Sequence, residues 1–126
     1  MTDAEMAEMD AFVADLGYRN EVRAAMLAHI GRINILSISG GRIEWLDDFT
    51  VKLPISNGYA VEVEYDRGWD LYTVRRTFTR RPKWTVDNPN PEPVRKVKGE
   101  VTMVYAEDLG ETAWRAHAFR SYEFGE

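Results

Sequence analysis

Nine Lys or Arg fall between Arg67 and Lys98 (Arg67, Arg75, Arg76, Arg80, Arg81, Lys83, Arg95, Lys96 and Lys98), against three acids, Asp70, Asp87 and Glu92. The stretch carries +6 in a chain whose formal net charge is −5, so the remainder carries −11. Tyr72, Phe78 and Trp84 are interleaved with these charges. Cations at this density hold anions: a phosphate backbone, with Trp84 stacked on a base, or the carboxylates of an acidic protein. A competing reading is internal. Glu62 and Glu64 share a strand face with Arg75, and cross-strand pairs of that kind contribute about a few tenths of a kcal/mol. Arg76 then runs its stem past the edge of the core.

Catalytic chemistry has little to work with. His29 and His117 are the whole supply of imidazole, and neither sits at i,i+4 from the other or in an H-x-x-E pattern, so each reads as a half-buried structural histidine. Glu44/Asp47/Asp48, Glu62/Glu64 and Glu107/Asp108/Glu111 group carboxylates. Glu107 and Glu111 share a helix face, but acids in a first turn are what the helix dipole favours, and no second helix offers E-x-x-H. Ser37, Ser39 and Ser56 lack a nucleophile-elbow context. Gly40-Gly41-Arg42 is too short to cradle phosphate, and Trp69-Asp70 is a lone dipeptide. With no cysteine there is no disulfide, thiolate metal site or cysteine nucleophile. The expectation is no catalytic residue, no metal and no cofactor.

At 126 residues the chain is expected to be one domain with its own core. Its acidic N-terminus lacks the basic and apolar regions of a signal peptide, and no apolar run is long enough to span a bilayer. That predicts no membrane partner, and with the missing cysteines it fits the cytoplasm.

Thr2 with Glu5 reads as a capping box opening a helix with Met6, Met9, Phe12, Val13 and Leu16 on one face and Gly17 as its C′ residue. Asn20 caps a second helix presenting Val22, Ala25, Met26 and Ile30. Residues 32–39 read as a strand that turns at Gly40-Gly41 into a return strand over 42–46. The alternative continues the second helix through Ile33 and Leu36 to Gly40. Residues 49–53 form the next strand.

Tyr59, Val61, Val63 and Tyr65 alternate with Ala60, Glu62 and Glu64. After a turn centred on Arg67-Gly68, Tyr72, Val74 and Phe78 alternate with Thr73, Arg75, Thr77, Thr79 and Arg81, while Arg76 and Arg80 point to the apolar side. That register sets Val63 opposite Tyr72 and Val61 opposite Val74. Pro82, Pro89, Pro91 and Pro93 make residues 81–98 a proline-rich basic loop, expected to be the most mobile part of the molecule. Val101, Val104, Tyr105, Leu109, Ala113 and Ala116 read as the stripe of a final helix, which Gly110 weakens by about 1 kcal/mol relative to alanine.

The segments Leu27-Ala28-His29-Ile30-Gly31-Arg32 and Ile35-Leu36-Ser37-Ile38-Ser39-Gly40-Gly41-Arg42 carry a resemblance, continued by Val51-Lys52-Leu53-Pro54, Asp70-Leu71-Tyr72-Thr73-Val74 and Val104-Tyr105-Ala106-Glu107-Asp108-Leu109. Over residues 27–118 the chain resembles a loose group of small uncharacterised bacteriophage and mobile-element proteins. Those share a Q-[LI]-G … [ST]-G-[AG] opening, a strand ending in Leu-Pro, a DxYxV strand and a closing VYAxxL helix. His29 stands where glutamine is usual. The resemblance implies an α-β-β-β-α order and brings no catalytic residues.

The sequence therefore predicts an α+β domain: two short N-terminal helices, an antiparallel sheet of about four strands, and a C-terminal helix packed on one face of the sheet. It predicts an accessory protein of a phage or mobile element that binds a host macromolecule, foremost a protein, without catalysis. The alternatives are a nucleic-acid-binding protein using the basic hairpin and loop, or a structural, virion-associated protein. The partner-binding candidates are Arg75, Arg81, Lys83, Trp84, Arg95, Lys96, Lys98 and Trp69. Trp69 and Trp84 stand out as exposed aromatic anchors at loop ends. Oligomeric state is left open.

Overall fold

The computed structural model describes residues 2–118, without the side chains of 8–16. Among them the elements run α1 (Asp3–Ile30), α2 (Arg32–Ser39), β1 (Glu44–Asp47), β2 (Thr50–Pro54), β3 (Tyr59–Asp66), β4 (Leu71–Arg80), β5 (Val94–Val104) and α3 (Ala106–Ala118). The five strands form one antiparallel sheet in chain order. The α+β class is as expected, with α3 packed on β3, β4 and β5. The strand count is five, not about four.

Alternation along the strands explains the layers. Val51 and Leu53 of β2, Val61 and Val63 of β3, Tyr72 and Val74 of β4 and Val104 of β5 are buried on one face. Leu109, Ala113 and Ala116 of α3 recur at helical spacing and cover that face, with Met26 and Ile30 of α1 and Ile35 and Ile38 of α2 completing the core. The hairpin β3–β4 presents the faces read from the sequence, but its register differs: Val63 opposes Val74 and Tyr65 opposes Tyr72. The connection is four residues, Arg67 to Asp70, because Asp66 Oδ1 accepts from the amides of Gly68 and Trp69 and holds a longer turn. A two-residue slip keeps every side chain on its own face, so the apolar pattern alone could not detect it.

Two helical assignments are corrected. The capping box at Thr2 and Glu5 forms, but α1 does not stop at Gly17 and continues to Ile30. Its later turns are held by Arg19 and Arg23 against Asp48 and by Tyr18 edge-on to Phe49, and such tertiary contacts outweigh the roughly 1 kcal/mol cost of an internal glycine. The stripe Met9, Phe12, Val13 and Leu16 lies outside the described side chains. Residues 32–39, expected as a strand, form α2. Asn34 Nδ2 donates to the Ile30 carbonyl at the end of α1. Gly40 and Gly41 both have positive φ, and their amides donate to Leu36 and Ile35 carbonyls. The glycine pair ends a helix instead of turning a hairpin.

The third correction concerns the loop. Residues 94–98 belong to β5, which runs to Val104, so the connector spans only 81–93, and Val101 and Val104 are strand residues. Irregular pairing between Val97 and Gly99 and between Val101 and Val104, with Met103 at φ 59°, marks two bulges in β5. Bulges break the period of two, which is why this strand was not visible as one.

Gly110 has a packing role. A Cβ there would lie 2.8 Å from both the Ile30 carbonyl oxygen and Asn34 Nδ2, so α3 crosses the α1–α2 junction at backbone distance. Helix propensity alone predicts that Gly110→Ala stabilises by about 1 kcal/mol. The packing predicts the opposite sign, a loss of about 1–3 kcal/mol from overpacking, which urea denaturation measures directly.

Candidate binding surface

Adjacent arginines on β4 point in opposite directions and have opposite environments. Arg76 turns inward and is buried, and its Nη1 donates to the carbonyls of Ala116 and His117, both at 2.8 Å. These are terminal carbonyls of α3, the negative end of its dipole. The guanidinium also stacks on Tyr59 at 4.7 Å. Burial, then the nearby Arg76 charge, pushes the His117 pKa down. His29 Nδ1 lies 2.7 Å from the hydroxyl of buried Tyr72, whose pKa burial, followed by Asp70, raises to about 12. Among the described residues no cluster of three His, Asp or Glu side chains could hold a metal ion.

Arg75 turns outward between two carboxylates. Its Nε donates to Glu100 at 2.6 Å and its Nη2 to Glu64 at 2.8 Å. Burial would lower its pKa, but the bonds to Glu64 and Glu100 outweigh that and raise it. Arg95 donates to both oxygens of Glu62, at 2.6 and 2.9 Å, and that bidentate bond, first among the causes, raises its pKa. Glu62 is only 3% exposed, although strand alternation puts it on the face away from the helices. Arg95 opposes Thr79, so reaching Glu62 on β3 takes its side chain diagonally across β4. Ala60 and Thr77, paired with each other between those rows, are buried. The Thr77 position of β4 lies between the Arg95–Thr79 row and the Glu62–Arg75 row.

The remaining candidates are distributed over two ends and two faces. Trp69 is exposed at the β3–β4 turn, the opposite end of β4 from residues 81–93. Ten strand residues separate them by roughly 33 Å, too far to act as one site. Arg67, counted with the basic stretch, has its guanidinium 5.0 Å from both the Tyr18 and Phe49 rings. Lys96 opposes Phe78, and the Lys98 ammonium lies 5.9 Å from the Phe78 ring. Both therefore lie toward the helix-bearing side, across β5 from Arg95.

Arg81, Lys83 and Trp84 do come together. Pairing of β4 with β5 closes at Arg80 opposite Val94, so residues 81–93 leave a zipped base as a finger. Inside it, Thr85 and Asn88 exchange backbone hydrogen bonds at 3.2 Å, and the Asn88 amide also donates to Thr85 Oγ1 at 3.0 Å. Pro91 is buried. The segment expected to be most mobile is thus held by a tight turn at its tip. That turn leaves Trp84 67% and Val86 84% exposed, and Arg80, Arg81 and Lys83 form no ion pair among the described residues. Val86 was not singled out from the sequence, since a lone valine among prolines carries no period.

Arg75→Gln removes the cation that separates Glu64 from Glu100 and is expected to lower unfolding free energy by about 1–2 kcal/mol. Arg81→Gln and Lys83→Gln are expected to stay within about 0.5 kcal/mol of the parent. Urea titration of the three variants checks the contrast.

In comparisons with known proteins, the chain matches no family model, no curated protein and no solved structure.

Proposed function

We propose that this is a non-catalytic binding protein that engages a protein partner through the finger at residues 81–93. The observation that carries the reading is the exposure of Trp84 and Val86 on a hydrogen-bonded turn, flanked by Arg80, Arg81 and Lys83, which form no ion pair among the described residues. Magnitudes favour a protein over a nucleic acid. Burying the exposed part of a tryptophan is worth about 2–4 kcal/mol, whereas each exposed ion pair is worth about 0.2–1 kcal/mol. Within residues 81–93, Asp87 and Glu92 offset Arg81 and Lys83, and Arg80 at the base of the finger leaves a net +1. Its attraction for a phosphate backbone is correspondingly small. A tryptophan beside arginines on a pre-ordered turn has the composition of an interface anchor.

The resemblance to small phage and mobile-element proteins supplies the setting. The proposed role is that of an accessory protein acting on a host protein in the host cytoplasm. Among the described residues, no helix is long and apolar enough to cross a membrane.

Affinity capture from host lysate tests the reading. The wild-type chain is expected to recover a specific protein, and Trp84→Ala to weaken its retention about thirtyfold or more, with an unchanged circular dichroism spectrum. Absence of any protein sensitive to Trp84→Ala contradicts the proposal. Salt-sensitive retention of single-stranded nucleic acid, lost with Trp84→Ala, would reassign the finger to nucleic acid.

A further inference from the structure

A second surface has the opposite chemistry and lies on the helical side of the molecule. Leu27 and Ala28 of α1, Arg32, Ile35 and Leu36 of α2, and Ile43 line an apolar groove of about 460 Å³. Ile33 is 79% exposed and Leu36 51% exposed beside it. Exposed apolar residues gathered at one groove mark an interaction surface. Arg32, on its rim, forms no ion pair among the described residues. The groove therefore suits an occupant that is apolar and acidic.

The chain itself supplies such a segment. Residues 3–16 contain Asp3, Glu5, Glu8, Asp10 and Asp15 and no Lys or Arg, with Met6, Met9, Phe12, Val13 and Leu16 at helical spacing. Residues 2–7 are all exposed, including Met6. A helix cannot deliver its own beginning to a groove at its own end. Glu5 and Leu27 are 22 positions apart in the unbroken 28-residue α1, roughly 33 Å along the axis. A second copy can, if the two helices run antiparallel. The segment then meets the groove twice, once in each direction, about a two-fold axis. The basic finger is a poorer occupant, because it would bring Arg81 and Lys83 toward Arg32.

We propose that two copies of the chain pair through α1, the acidic N-terminal segment of each lying in the Arg32-rimmed apolar groove of the other. This surface is separate from the finger, so the proposal stands independently of the finger's role. Sedimentation velocity on the full chain over a wide concentration range tests it. The wild type is expected to dimerise, and Met6→Glu and Leu36→Glu, both at exposed positions, are each expected to yield monomer. Arg32→Glu is expected to raise the dissociation constant about tenfold, and adding Glu5→Arg to recover most of that loss. A wild type that stays monomeric at the highest concentration overturns the proposal. So does a dimer indifferent to either Met6→Glu or Leu36→Glu, or a charge swap that fails to restore association.

Discussion

A buried carboxylate constrains the sheet more than any other single group. Glu62 is almost wholly removed from water, and an ion in that position costs several kcal/mol unless it is paired with good geometry. Its partner is Arg95, two strands away, with both guanidinium-to-carboxylate bonds formed. That pairing requires β5 to be zipped to β4 through Thr79 and Arg80. It therefore makes residues 94–98 a strand, shortens the loop to 81–93, and sets the base from which the finger projects. The bond crosses β4 on the face away from the helices, where Ala60 and Thr77 are also buried.

The charge asymmetry of the chain resolves once those partners are placed. Arg75 and Arg95 are neutralised by Glu62, Glu64 and Glu100, Arg76 caps α3, and Arg67 lies against two aromatic rings. Among the described residues Arg80, Arg81 and Lys83 form no ion pair, and they lie next to the exposed Trp84. A stretch of +6 in the sequence thus becomes a surface whose strongest feature is apolar. The proposed function therefore rests more on the shape of the Trp84 turn than on net charge, which is the reason for proposing a protein partner.

Local patterns were legible and non-local ones were not. The faces of β3 and β4, the inward turn of Arg76, the capping box at Thr2 and the stripe of Leu109, Ala113 and Ala116 all follow from periods of two or 3.6 within one element. Residues 32–39 failed because a short apolar run fits either period, and the choice was made by contacts of Ile35 and Ile38 with distant residues. The strand β5 failed because its bulges interrupt alternation. Gly110 was read as a propensity cost, since the Ile30 carbonyl that requires it lies eighty positions away in the chain. Of the site candidates, Arg81, Lys83 and Trp84 were found together because they are neighbours in sequence. The commitment of Arg95 to Glu62, 33 positions back, needed the fold.

The central claim is that Glu62 and Arg95 form a strongly coupled pair that ties β3 to β5. A double-mutant cycle with Glu62→Gln, Arg95→Gln and the combined variant measures that coupling from urea unfolding. A coupling of about 1.5–3 kcal/mol is predicted, with the double variant less destabilised than the sum of the singles, because each single change leaves one charge without its partner. A coupling within about 0.3 kcal/mol of zero would mean that the two side chains act independently, and would contradict the account.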